Sequence, residues 1–258
     1  MAASREFPPG STEALLQRAK AHEAAGEYAQ SHSLLRLCQA SCDLHTALPL
    51  VNTIQASLWR LDPRWAACVT HGSVSLRRCR RQDASFFQRC FTDPVFVRRF
   101  SRRTPWRGDL GQALENSGRQ PPLRTGLLMW VIETRAGGPV GLASLSSLDP
   151  VNRRAEFSIG FPGEAPFALG GKVSLMALHF ALVTMSLNKV YVYVYPDNET
   201  ARQNALRLGF QTEGLLQEHF QVPGEGFISV HMLGLTSAQF HQIDRLKVLA
   251  KRLIGQAW

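Results

Sequence analysis

The chain has 258 residues, 45% of them hydrophobic, and a formal net charge of +9. That length holds one large domain or a medium domain with a small companion, and that apolar share excludes wholesale disorder. No run of about 18 apolar residues occurs, so no membrane span is expected.

Five cysteines (Cys38, Cys42, Cys68, Cys79 and Cys90) are odd in number and lack paired CxxC spacing. They read as reduced thiols of a cytoplasmic protein, with no metal site. The first residues lack the basic-then-apolar layout of a secretory leader. Between Ser73 and Arg107 ten arginines stand against two aspartates. Such a segment suits an anionic partner, or it is simply a solvated basic face. Nucleic acid is not expected as the main partner of Arg77, Arg78, Arg80, Arg81, Arg98, Arg99, Arg102 and Arg103. The aromatics between them, Phe86, Phe87 and Phe91, fall at the helical spacing of a core.

In chain order, residues 1–10 read as a loose tail. Ser11 or Thr12 opens a first helix, with Glu13 at the positive end of its dipole. Gly26-Glu27-Tyr28 breaks the pattern, and a second helix is expected from Tyr28 to Ala40. A third, from Ala47 to Leu61, stops at Leu61-Asp62-Pro63 because proline has no donor to continue the ladder. The segment 11–65 is therefore helical. Its Gly-x-Tyr turn and Leu-Asp-Pro ending resemble a tetratricopeptide-like unit, and a plain helical cap on the main domain fits equally well.

A strand is expected at Val74–Cys79, then a helix through Phe86, Phe87, Cys90 and Phe91, interrupted at Asp93-Pro94. Residues 101–125 read as loop with a short helix near Leu110–Asn116. Leu127–Thr134 and Val140–Leu148 form a hairpin around Gly137-Gly138. Ala155–Phe161 is a third strand of that run. A helix over 170–187, a strand over 189–195 and a helix over 199–208 follow. Phe210–Gln217 reads as irregular or strand, and Phe227–Leu235 as the last strand. A single closing helix spans Ser237–Ile254. Hairpins first and a βαβ crossover later make a mixed α/β domain over 73–240, with helices on both faces of a central sheet.

Asp197-Asn198-Glu199-Thr200-Ala201, then Arg207-Leu208-Gly209-Phe210 and Glu213-Gly214, carry a resemblance. With the element order, they resemble the GCN5-related N-acetyltransferase (GNAT) family, in particular the branch that acetylates the N-terminal amine of ribosomal proteins. The resemblance implies acetyl-coenzyme A as cosubstrate and a primary amine, on a protein, an amino sugar or a small molecule, as acceptor. It implies that Leu169, Gly170, Gly171 and Lys172 meet the cofactor's pyrophosphate at a helix start, where free amides and the dipole favour an anion. The family's loop carries Gln or Arg where this chain has Phe167, and Gly or Ala where it has Lys172. Asn198 is a pantetheine contact by resemblance and a helix N-cap by chemistry. Arg202 faces the phosphates or lies on the surface.

Direct transfer needs a base for the amine and an acid for the thiolate. By resemblance the base is Glu156, with Glu164 second; a strand-edge pairing of Glu156 with Arg153 or Arg154 is the plain alternative. The family's helix tyrosine or serine is missing from ETARQNALR, and Tyr195 at the strand end is the candidate acid. His231 is either a proton carrier or a structural histidine. The competing reading of the whole chain is a non-catalytic interaction protein that recruits a partner through its helices and basic segment.

Overall fold

The structure is a computed structural model describing residues 8, 11–42, 48–102, 108–135, 137–164 and 168–255. The tail expected over 1–10 lies outside these residues except for Pro8 and so do Arg103, Arg107 and Phe167. The chain divides into two compact units.

The first unit runs to Ala66 and includes Gln120–Thr125. Its helices are α1 (Thr12–Ala24), α2 (Tyr28–Ser41) and α3 (Leu48–Arg60). Ser11 caps α1, its Oγ accepting from the Ala14 amide at 3.2 Å. Gly26 turns the chain at φ +80, a region closed to most side chains. Leu16, Ala19, Leu35, Cys38, Ile54 and Leu58 form one small core. Arg60 of α3 is ion-paired with Glu23 of α1.

The second unit holds an eight-stranded sheet in the order β1-β2-β3-β4-β5-β6-β8-β7. β1 (Val69–His71), β2 (Val74–Arg78), β3 (Leu128–Thr134), β4 (Gly138–Asp149) and β5 (Arg154–Gly160) form an antiparallel run. β6 (Lys189–Val194) joins parallel to β5; β7 (Gln211–Val222) and β8 (Gly226–Thr236) close the far edge as an antiparallel hairpin.

α4 (Ala84–Thr92), α5 (Pro94–Phe100) and α6 (Leu110–Arg119) follow β2, and α7 (Pro122–Thr125) belongs to the first unit. Asp93 both ends α4 and caps α5, accepting from Val95 and Phe96 amides at 2.8 and 3.3 Å. Phe86, Phe87 and Phe96 bury one sheet face with Met129, Val131 and Leu142. On the other face α8 (Leu169–His179) continues as a π turn over Phe180–Thr184, and Phe180 meets Trp130 edge-on at 5.3 Å. α9 (Glu199–Arg207) caps on Asn198.

Three expectations change. β1 was not expected. The stretch from Gln211 is one long strand, because register shifts near Gly214 and between Leu216 and Phe220 break the alternation that marks a strand in sequence. The closing helix is two, α10 (Ser237–Gln242) and α11 (Asp244–Ile254), parted at Ile243 with ψ +90. No described helix is long and apolar enough to cross a membrane.

Candidate active site

β5 and β6 are paired only at Arg154↔Lys189, Ala155↔Val190 and Glu156↔Tyr191. β5 then runs on to Gly160 and β6 to Val194 without a ladder between them. Two parallel strands that part leave backbone donors and acceptors facing a cleft, which an amide-bearing chain can bridge as a strand would.

Register fixes what lines one face of this cleft. Glu156 pairs with Ser146 of β4 and Tyr191 of β6, and Ser158 pairs with Ser144. Alternation puts Tyr193 and Tyr195 on the same face as Tyr191. Gly160 shares it too: a Cβ there would come within 2.9 Å of Phe96 and Phe100 of α5. Glu156 is therefore at the closed end of the split, and the end of α5 roofs the open end. Arg154, one alternative partner of Glu156, is bound to Asp149 at 3.2 Å. Burial raises the Tyr191 phenol; a Ser147 hydrogen bond opposes this and the nearby Tyr193 and Glu156 add to it. His231 pairs with Val194, which places it on the opposite face from Glu156. Glu164 is exposed in the segment after β5, at the other end of that strand from Glu156.

Tyr195 is buried where β6 ends. Its hydroxyl accepts from the Arg102 amide at 3.4 Å, and the Arg102 guanidinium lies 4.2 Å from its ring centre. The Arg102 side chain is only 8% exposed and binds Asp197 at 2.5 Å and Glu225 at 3.0 Å. Arg98, four residues earlier and within α5, reaches Asp197 at 2.7 Å. Hydrogen bonds from Arg102, then from Arg98, hold the Asp197 carboxyl below its ordinary range. This lattice joins α5, the β6–α9 turn and the tip of the β7–β8 hairpin. Sequence reasoning missed it and assigned these arginines to an outward patch. No local signal marks it, because Arg102 lies past the end of α5 and its acidic partners are far along the chain. Arg77 is also drawn inward, bound to Asp83 and Glu133, both at 2.7 Å.

α8 opens at the other side. Ala168 precedes it at φ +60 and offers no side-chain cap, and the Lys172 amide bonds to the Ala168 carbonyl at 3.1 Å. Helix geometry leaves the amides of Leu169, Gly170 and Gly171 without an intrahelical acceptor. Neither glycine is required by φ. A Cβ on Gly171 would meet nothing within 4 Å, and one on Gly170 only Phe161 at 3.7 Å. The protein's own packing gives no reason for glycine here, which suits a ligand that needs close approach to the backbone. Lys172 turns toward the β1–β2 hairpin: its Nζ lies 3.6 Å from a Cβ built on Gly72, and its charge lowers the His71 pKa after burial has done so. Asn198 caps α9, its Oδ1 accepting from the Ala201 amide at 3.2 Å. Arg202 is bound to Glu199 at 2.8 Å on the helix surface. The structure thus brings Glu156 and Tyr195 to one cleft and Leu169, Gly170 and Gly171 to one helix start.

The family profile of the acetyltransferase (GNAT) domain matches residues 73–211. The chain belongs to the GNAT acetyltransferase family, whose cosubstrate is acetyl-coenzyme A. It is 32% identical over 90 residues to a spermidine N(1)-acetyltransferase of Escherichia coli K12, covering 34% of this chain and 48% of that protein. The chain thus spans about half the length of the curated relatives it matches. The spermidine N-acetyltransferase of Vibrio cholerae, solved with CoA and spermine, superposes with a TM-score of 0.56 at 20% identity, over 65% of this chain and 98% of that one. A chimera of the Vibrio cholerae enzyme SpeG with hSSAT gives the same TM-score of 0.56 at 20% identity, over 66% of this chain and 99% of its own.

Proposed function

We propose that this chain transfers acetyl from acetyl-coenzyme A to a small primary amine by direct attack. The observation that carries the reading is the parting of β5 and β6 immediately after Glu156 and Tyr191. The pantetheine arm fits the cleft edges beyond that point, and the pyrophosphate fits the open amides of Leu169, Gly170 and Gly171. Acetyl-coenzyme A supplies the thioester; the N–C bond forms as the C–S bond breaks. Glu156 takes the proton that an ammonium must lose before it can attack. Tyr195, at the other side of the cleft, is the acid that protonates the departing sulfur. The lattice on Arg102 fixes the Tyr195 ring in place. The relatives' named amines, spermidine and spermine, support a small acceptor. The five free thiols fit a cytoplasmic setting.

A thiol-release assay with acetyl-coenzyme A and an amine panel tests this. Glu156→Gln should lower kcat/KM at least about a hundredfold near neutral pH. The loss should shrink as pH approaches the amine's own pKa, where the acceptor is already neutral. Equal rates for wild type and variant at every pH would remove Glu156 from the mechanism. A non-catalytic binding protein would release no thiol with any amine. It would also show no rise in melting temperature at millimolar coenzyme A, since only a ligand bound to the folded state gives one.

A further inference from the structure

β7 carries two more residues than β8 between Leu216 and Phe220, with Glu218 at φ +47. This bulge brings His219 and Phe220 against Tyr193, with ring centres 5.2 and 5.4 Å from it. Tyr191 extends the row at 5.4 Å from Tyr193. The planes of Tyr193 and Phe220 meet at 85°, so the two rings form a corner and not a stack, with the exposed His219 ring against both, 5.2 Å from Tyr193 and 4.6 Å from Phe220. A core cluster would be sealed; here Tyr193 and Phe220 are half-buried and His219 is exposed. Tyr193 is two residues along β6 from Tyr191, about 7 Å, and Tyr191 sits beside Glu156. An amine at Glu156 can therefore reach the corner with a short alkyl arm. A flat ring fills such a corner stacked on one wall and edge-on to the other.

Charge decides what else the acceptor carries. A polyamine brings several ammonium groups, and each one desolvated needs a carboxylate or an equivalent partner. Three carboxylates around the end of β6 already have cations: Asp197 is bound by Arg98 and Arg102, Glu225 by Arg102 and Glu199 by Arg202. We infer that the acceptor is a monoamine with an aromatic or apolar body, seated on Tyr193 and Phe220 with its amine at Glu156, and not a polyamine. The inference rests on the acetyltransferase reading and narrows its substrate class.

The test uses the full chain with phenethylamine and spermidine at fixed acetyl-coenzyme A. The expected kcat/KM is at least about tenfold higher for phenethylamine. Phe220→Ala should raise KM for phenethylamine about tenfold more than for spermidine, and Tyr193→Leu should do the same. Spermidine as the better acceptor, or both variants affecting the two amines equally, overturns the inference while leaving acetyl transfer standing. If neither amine is acetylated, the acetyltransferase reading fails first, and phenethylamine binding is then read by calorimetry. Binding that Phe220→Ala weakens keeps the aromatic seat; no binding by the wild type ends it.

Discussion

Arg102→Met separates a lattice that holds the site together from ordinary surface charge. The Arg102 side chain is 8% exposed, whereas its partners Asp197 and Glu225 are 36% and 51% exposed. Removing the arginine deletes charged hydrogen bonds worth about 1.5–3 kcal/mol each. The two carboxylates can rehydrate, and Asp197 keeps Arg98 at 2.7 Å, so most of that is recovered. Losing the cation over the Tyr195 ring, 4.2 Å away, adds roughly 1 kcal/mol. A net loss of about 2–3 kcal/mol follows, below the 3–5 kcal/mol of a pair whose surviving charge stays buried. For a domain of this size that lowers the melting temperature by about 5–10 °C. Calorimetry with Arg99→Met as the exposed control measures it. The difference should persist in about 1 M salt, which screens exposed pairs and hardly touches a buried one. Asp197 supplies the pH signature. Its folded pKa lies below the unfolded value, so its contribution is complete above pH ~4 and disappears as pH falls through the folded pKa. Arg102→Met melting with Arg99→Met, within about a degree of wild type, would refute the burial argument.

Gly171→Ala should leave melting unchanged or slightly raised, since alanine favours a helix by up to about 1 kcal/mol and a Cβ there meets nothing. The same variant should weaken coenzyme A binding by calorimetry about tenfold or more; unchanged affinity would remove the α8 start from the cofactor site. Gly209→Ala and Gly26→Ala form a matched pair in urea unfolding. Both sit at positive φ, +93 and +80, but only at Gly209 would a Cβ strike Ile243. Gly26→Ala should cost about 1 kcal/mol from strain alone, and Gly209→Ala about 2–4 kcal/mol from strain plus overpacking. Equal costs would mean that Ile243 yields freely.

The second half of the domain was legible because its signals are local. Tyr191, Val192, Tyr193 and Val194 alternate as a strand must, and Asn198 precedes its helix as a cap must. Leu208-Gly209-Phe210 now has a cause in this chain: Gly209 lets α9 end in the left-handed region beneath Ile243. What stayed hidden depends on pairing across long separations. Nothing in the sequence near Arg102 announces Asp197 or Glu225, because three separate segments meet there only after the sheet has formed. The bulge on β7 was hidden for another reason: its extra residues scramble the period-two pattern by which a strand is read.

Charge counting by segment went astray at the same place. Ten arginines against two aspartates look like an outward patch only if each acid is matched to its neighbours in sequence. The acids that answer Arg77, Arg98 and Arg102 come from Asp83 and Glu133, from Asp197, and from Asp197 and Glu225, most of them far along the chain. An arginine just past a short helix that roofs a cleft has reason to turn inward: its guanidinium can tie two acidic turns at once and lay its flat face on an aromatic ring. The same act occupies carboxylates that a polycationic acceptor would need. Structural charge pairing at the end of β6 and the preference proposed for a singly charged, apolar amine are therefore one effect seen twice. Asp197→Asn tests the link: it deletes a carboxylate held by two arginines and leaves both cations at the mouth. The phenethylamine-to-spermidine ratio should then rise further, measured as kcat/KM on the same protein; a falling ratio would separate the lattice from acceptor choice.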